Sequence, residues 1–255
     1  MFFKKPNILF FCLLIAIALG FLGYNTLAKN NQLEFPRVRE AKKNTDHFCK
    51  KLFRDQNLTF PNNNIFIRIF KHEKVLELWA KDQQKSTYKK IVDIPICAAS
   101  GKLGPKRQQG DRQVPEGFYY INNFNPSSQY HLSMQINYPN KLDLAKTTNP
   151  ANPGNLIFIH GECASIGCVA VENEPIEALY WIAAEAKAAG QNRIPVHIFP
   201  CHMSSLRYKI KTYLERDQPA LLSFWGNLKT GFDYFETHKQ LPKISVNSKE
   251  EYLIQ

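Results

Sequence analysis

Apolar residues recur along this chain first with the two-residue rhythm of strands and later with the longer period of helices. Residues 64–70 read Asn-Ile-Phe-Ile-Arg-Ile-Phe and 75–79 read Val-Leu-Glu-Leu-Trp, two β-rich runs joined by the polar link Lys71-His-Glu-Lys74. That is the pattern of a hairpin. A third run over 88–97 continues the sheet. The stretch 100–117 is too rich in Gly, Pro and charge for regular structure, and a strand over 118–121 follows it. Within 130–136, His131, Ser133 and Gln135 alternate with Leu132, Met134 and Ile136, which predicts a strand with one polar and one apolar face. Leu156-Ile-Phe-Ile159 reads as a buried strand that delivers His160 at its end. Next, Asn173 and Pro175 mark a helix start, Ile176, Leu179, Tyr180 and Ala183 recur at helical spacing, and Gly190 stops the helix. A last core strand spans 194–199. An amphipathic helix over about 217–238 follows, and the remainder to Gln255 reads as loosely held.

The fold class expected from this pattern is mostly β, with one or two helices packed on the sheet. Residues 29–63 are polar and basic, with a short helix around 40–54 between Pro36 and Pro61. They read as a lead-in to a catalytic domain over 64–203, with a helical extension over 204–255. Residues 1–28 have the form of a signal segment: Lys4 and Lys5 precede an unbroken apolar run over 8–22. Thr26-Leu-Ala28 offers a tolerable cleavage site. The folded part is therefore expected outside the cytoplasm, in the periplasm or cell envelope, and contact with a membrane is expected only through an uncleaved N-terminal segment. Cys12, inside the apolar run after Leu9-Phe10-Phe11, reads as a small hydrophobe and not as a lipidation site.

The formal net charge is +11, and it stays strongly positive without Lys4 and Lys5. Such a field favours polyanions, and after export these are anionic headgroups or an acidic wall polymer. The basic residues are scattered and carry no nucleic-acid motif, so no nucleic-acid partner is expected. Six cysteines is a large number for an exported chain. With Cys12 and Cys168 set aside, Cys49, Cys97, Cys163 and Cys201 remain, enough for two disulfides in three connectivities.

The candidate chemistry lies in Ile159-His-Gly-Glu-Cys-Ala-Ser-Ile-Gly-Cys-Val-Ala-Val171. A cysteine attacks as thiolate, and a free thiol is mostly protonated near neutral pH, so a nucleophilic Cys168 needs a base beside it. His160 is that base. Gly167 and Cys168 can turn their amides toward a developing oxyanion, and Ser165 can support the turn or bind substrate. A zinc site from His160, Cys163, Cys168 and Cys201 or His202 has no paired-ligand spacing, so no metal and no cofactor is expected. Cys163 reads as half of a structural disulfide in preference to a resolving thiol.

In these residues the chain resembles the L,D-transpeptidase catalytic domain, or YkuD, family, and within it the YafK-like branch. The resemblance runs from about 64 to 203. It is carried by Ser100-Gly-Lys-Leu-Gly-Pro-Lys106, Gly110-Asp111, Pro115-Glu-Gly-Phe-Tyr119, Tyr130-His-Leu-Ser133, Tyr138-Pro-Asn140, His160-Gly161, Ser165-Ile-Gly-Cys168 and His197-Ile-Phe-Pro200. It implies a β-sandwich-like YkuD fold with a cleft, acylation of Cys168 by a peptidoglycan stem peptide, and transfer to an amine or water. It adds Gly161 and His131 to the cleft, and Asp111, Arg112 and Glu116 as contacts to a charged stem peptide. Ile166 stands where the commoner pattern, Ser-His-Gly-Cys, has a second His, and Val171 stands where the branch usually has Met. A member of the branch hydrolyses the link between peptidoglycan and an outer-membrane lipoprotein. The expected function is therefore cysteine-dependent acyl transfer on stem peptides. Its alternatives are an amidase acting on a peptidoglycan-linked envelope lipoprotein and a catalytically silent wall-binding module.

Overall fold

The computed structural model describes residues 31–255; the expected signal segment over 1–28 lies outside them. Among the described residues no helix is long and apolar enough to cross a membrane. Strand β1 (Ile65–Phe70) is buried at every position. Successive strand residues point to opposite faces, so a strand without a polar face must be covered on both sides. On one side Ile65, Ile67 and Ile69 pack in a core with helices α1 (Pro36–Asp55) and α3 (Asn173–Ala188). On the other, Phe66 and Phe70 meet Phe235 and Phe232 of helix α5 (Pro219–His238). Arg68 lies on that second side, where it pairs with Glu77 at 2.7 Å and with Glu236. The buried guanidinium is compensated there by both carboxylates and by the rings of Phe70, Trp79, Phe232 and Phe235 around it.

A single mixed sheet of nine strands runs in the order β3-β2-β1-β9-β5-β6-β7-β8-β4. β2 (Val75–Ala80) and β3 (Lys89–Pro95) continue antiparallel from β1, and β9 (Pro195–Phe199) pairs with β1 in parallel. The long strand β5 (Gly117–Asn125) joins two arms: its first half pairs with β9, its second half with β6 (Ser133–Ile136), and the register shifts between Ile121 and Asn123. Such an irregularity bends a strand. The second arm adds β7 (Phe158–His160), β8 (Val169–Ala170) and β4 (Ala98–Ala99), with α2 (Lys141–Lys146) between β6 and β7. The result is a curled, sheet-dominated fold with helices packed on it.

Several elements differ from the sequence reading. α1 begins at Pro36, the residue with a pre-set helical φ and no N–H to waste. It buries Val38, Ala41, Thr45, Cys49 and Phe53 along one stripe, so it belongs to the core. The strand expected from 130 begins only at Ser133, because His131 has φ +64°, outside the strand region. Helix α4 (Leu206–Leu214) was not expected, and the C-terminal stretch forms a hairpin of β10 (Ile244–Val246) and β11 (Tyr252–Ile254). Tyr252 anchors that hairpin, buried and accepting a hydrogen bond at its hydroxyl from Asn140 Nδ2 at 2.9 Å. Only one disulfide forms among the described cysteines, Cys97–Cys163. Cys49 and Cys201 are buried free thiols, each pushed up to about 12 by burial, and they serve as small apolar residues.

Candidate active site

The parallel pair β7 and β8 sets the frame: Ile159 lies opposite Val169 and His160 opposite Ala170. Between them the chain makes a tight turn from Gly161 to Cys168. Three ties hold it. The Glu162 amide donates to Asn173 Oδ1 at 3.0 Å, which couples the turn to the start of α3. The Cys97–Cys163 disulfide joins it to the chain just before β4. Ser165 Oγ donates to the carbonyl of Cys168 at 2.7 Å and accepts the amides of Gly167 at 3.2 Å and Ser100 at 3.3 Å. Two glycines are required. Gly167 has φ +134°, and a Cβ on Gly161 would lie 2.7 Å from Asn173 Oδ1.

His160 and Cys168 line one cavity of 260 Å³. The imidazole is buried, and its Nδ1 lies 2.6 Å from the carbonyl of Gly161. A carbonyl only accepts, so Nδ1 carries the proton and Nε2 of the neutral ring is left with a lone pair. Burial holds His160 below the usual imidazole range. The half-buried thiol of Cys168 is pushed up, again by burial, against smaller opposing effects from the Phe158 amide and the charge of Lys106. Both shifts favour the uncharged form, so the resting pair is thiol and neutral imidazole. Of the two amides expected at an oxyanion site, that of Gly167 is taken by Ser165. The Cys168 amide has no protein acceptor among the described residues.

Apart from Phe158 of β7, the rest of the cavity is built from residues 125–133. Tyr130 packs over His160 with ring centroids 4.7 Å apart. Ser133, in register opposite His160, is buried, and with Asn125, Ser127, Ser128 and Gln129 it completes a polar, uncharged lining. Arg37 of α1 fixes this loop by donating to the carbonyls of Ser128, at 2.6 Å, and His131.

His131 is not in the cavity. The positive φ turns its side chain to α3, where Nε2 lies 2.8 Å from Glu177 Oε1. Asn44 of α1 donates to the other oxygen of Glu177 at 3.0 Å. The acidic residues expected to meet substrate are also occupied. Asp111 pairs with Lys106 and accepts the amides of Arg107, Gln108 and Gln113, and Glu116 is fully buried. Arg112 remains exposed beside the turn. Ile166, in place of an inner His, is exposed, and Val171 is buried in the core. Among the described residues no group of three or more His, Cys, Asp or Glu could hold a metal. In the sequence Tyr130 stands in the motif Tyr130-His-Leu-Ser133 without a role of its own, and nothing marks Arg37.

Residues 64–198 match the family model described as the YkuD L,D-transpeptidase catalytic domain. The chain is similar to "Putative L,D-transpeptidase YafK" of Escherichia coli strain K12, 36% identical over 184 residues that cover 71% of this chain and 70% of that protein. Among solved structures, the helical cell shape determining protein Pgp2 from Campylobacter jejuni aligns at 20% identity with a TM-score of 0.43, covering 73% of each chain. Bdellovibrio bacteriovorus Bd1075 aligns at 18% identity with a TM-score of 0.39, covering 74% of this chain and 79% of its own.

Proposed function

The chain belongs to the YkuD family of L,D-transpeptidase catalytic domains, and from that premise we propose that it transfers acyl groups of peptidoglycan stem peptides through a thioester on Cys168, with His160 as base. The observation that carries this reading is the tautomer of His160: Nδ1 is committed to the Gly161 carbonyl, so Nε2 is the proton acceptor in the cavity that Cys168 also lines.

The order of events follows from the uncharged resting pair. Substrate binds against a neutral thiol. As sulfur attacks the carbonyl of the third stem-peptide residue, its proton passes to Nε2, and the C–S bond forms while negative charge collects on the carbonyl oxygen. The free Cys168 amide donates to that oxygen. Collapse breaks the C–N bond, and the imidazolium returns its proton to the departing amine. An acceptor amine then attacks the thioester, with Nε2 taking the amine's proton, and the thiol is regenerated. The cavity lining, polar without a carboxylate, suits peptide amides and hydroxyls. Water as acceptor would make the same site an amidase. Because peptidoglycan lies outside the cytoplasm, the proposal includes export by the 1–28 segment. It also includes α1 in the working unit with 64–203, since Arg37 holds the loop that covers His160.

The experiment incubates the protein with tetrapeptide muropeptides plus an amine acceptor, and separately with lipoprotein-linked peptidoglycan, with products resolved by mass. New amide-linked products, abolished in Cys168→Ala, are expected. Turnover by Cys168→Ala at the wild-type rate would overturn the nucleophile, and release of free lipoprotein without new links would reassign the reaction to hydrolysis.

A further inference from the structure

Helix α4 (Leu206–Leu214) presents its apolar side outward. None of its residues is buried, and Leu206, Ile210, Tyr213 and Leu214 are 70%, 48%, 67% and 58% exposed. At about 100° per residue these four positions fall within an arc of roughly 100°, a single stripe. Tyr208, on the opposite side of the helix, is the residue that packs against the core beneath. Arg207 and Lys211 flank one edge of the stripe and Lys209 the other, and the nine-residue helix contains no acidic residue.

An amphipathic helix in a globular fold ordinarily turns its apolar stripe to the core. Here that stripe faces solvent, edged with cations on both sides. Long basic side chains beside an apolar stripe can lay their stems along it and keep their charges at its border, the arrangement of a helix lying in a membrane interface. Charge complementarity selects the lipid: three cations, none of them in an ion pair among the described residues although Glu215 caps the helix, on a chain of net charge +11, favour an anionic bilayer over a zwitterionic one. We infer that α4 is an interfacial membrane-binding element, which docks the folded domain on the surface of an anionic lipid bilayer by inserting Leu206, Ile210, Tyr213 and Leu214 between headgroups. The inference is independent of the acyl-transfer reading, since no residue of α4 lines the Cys168 cavity.

The attraction expected from three cations near an anionic surface is about 100-fold in partitioning between anionic and neutral vesicles. Because the apolar run over 8–22 also has affinity for lipid, the readout must be local to α4. Amide hydrogen exchange over 206–214 is measured in the full chain with phosphatidylglycerol vesicles, with phosphatidylcholine vesicles and without lipid. The expected result is slowed exchange with phosphatidylglycerol alone, reversed by 0.5 M salt and lost in Ile210→Ser/Tyr213→Ser/Leu214→Ser, which removes only exposed side chains. Exchange left unchanged by phosphatidylglycerol vesicles would overturn the inference, as would equal protection by both lipids. Protection that rises with protein concentration in the absence of lipid would assign the stripe to a second copy of the chain instead.

Discussion

Glu116 offers the sharpest test of how the loop over 100–117 is held. Its buried carboxylate accepts the Gly104 amide at 2.7 Å and Trp225 Nε1 at 2.8 Å, and lies 3.0 Å from Lys71 Nζ. Lys71 in turn donates to the carbonyls of Gly104 and Val114, both at 2.8 Å. Burial lowers the Lys71 pKa, and Glu116 is the main group opposing that shift. Glu116→Gln keeps the shape but leaves a buried ammonium with no counter-charge, a loss of about 3–5 kcal/mol. The lysine has one escape, to shed its proton. At pH 7 that costs about 1.4 kcal/mol for each of the roughly 3.4 units to its unfolded pKa, or about 5 kcal/mol, and at pH 9 only about 2 kcal/mol. The sign follows: a lysine whose folded pKa is depressed binds fewer protons folded than unfolded, so the variant gains stability as pH rises toward 10. With an m-value near 2 kcal/mol/M, urea unfolding of Glu116→Gln at pH 7 should show its midpoint about 2 M below wild type, with the gap narrowing at pH 9. The pair Lys71→Met/Glu116→Gln should recover only the electrostatic part of the loss, since the carbonyls of Gly104 and Val114 lose their donor and the Gln amide turns its NH2 on the Gly104 or Trp225 N–H. A single variant within about 1 kcal/mol of wild type at pH 7, or a deficit unchanged between pH 7 and 9, would refute this account.

Three further outcomes are expected. Tyr130→Phe keeps the ring over His160 and should retain activity, whereas Tyr130→Ala should lower kcat about tenfold or more by freeing the base, with Tm little changed because Tyr130 is 43% exposed. Alkylation of Cys168 in the native protein should be slow at pH 7 and still rising at pH 9, because burial raises its pKa, while Cys49 and Cys201 stay unlabelled; a rate already on its plateau at pH 7 would mean a preformed thiolate. Asp143, pushed up to about 7 by burial, binds more protons folded than unfolded between its ordinary value and 7, so wild-type stability falls across that window as pH rises. Asp143→Asn should match wild type near pH 4 and exceed it by about 2–4 kcal/mol at pH 8 in thermal or urea unfolding.

Much of the fold was legible because its strands carry one-letter rhythms that only a sheet satisfies. The hairpin of β1 and β2 and the helix beginning at Asn173 appear where the pattern predicts them, whereas β7 delivers His160 as expected but starts only at Phe158, because Leu156 is exposed and has φ +54°. What was not legible depends on partners distant in sequence. The run 36–55 is polar overall, and only its contact with α3 reveals that its apolar stripe is core. Likewise, the residues around Cys49 and Cys201 do not say whether a thiol is paired or merely buried. Asp111 and Glu116 look like substrate contacts in a charged loop until Lys106 and Lys71, each buried, are seen to consume them.

The one residue of the candidate site that the alternation misplaces is instructive about the site itself. Reading 130–136 as a strand sets His131, Ser133 and Gln135 on one polar face. A single left-handed residue breaks that: with φ +64° at His131, the imidazole swings to Glu177 and the strand begins two residues later. Ser133 keeps its place, opposite His160 in the β6–β7 register. The same left-handed turn puts the carbonyls of Ser128 and His131 within reach of Arg37, and so brings Tyr130 over the imidazole. The second histidine therefore ties down the loop beside the cavity without entering it. His131, Glu177 and Asn44 bind the loop to α1 and α3, and in the proposed mechanism Nε2 of His160 is the one proton acceptor, since among the described residues no second imidazole or carboxylate lines the cavity. The proposed mechanism therefore relies on transient proton transfer at the moment of attack and not on a stored thiolate, which is why the pH dependence of Cys168 alkylation tests it directly.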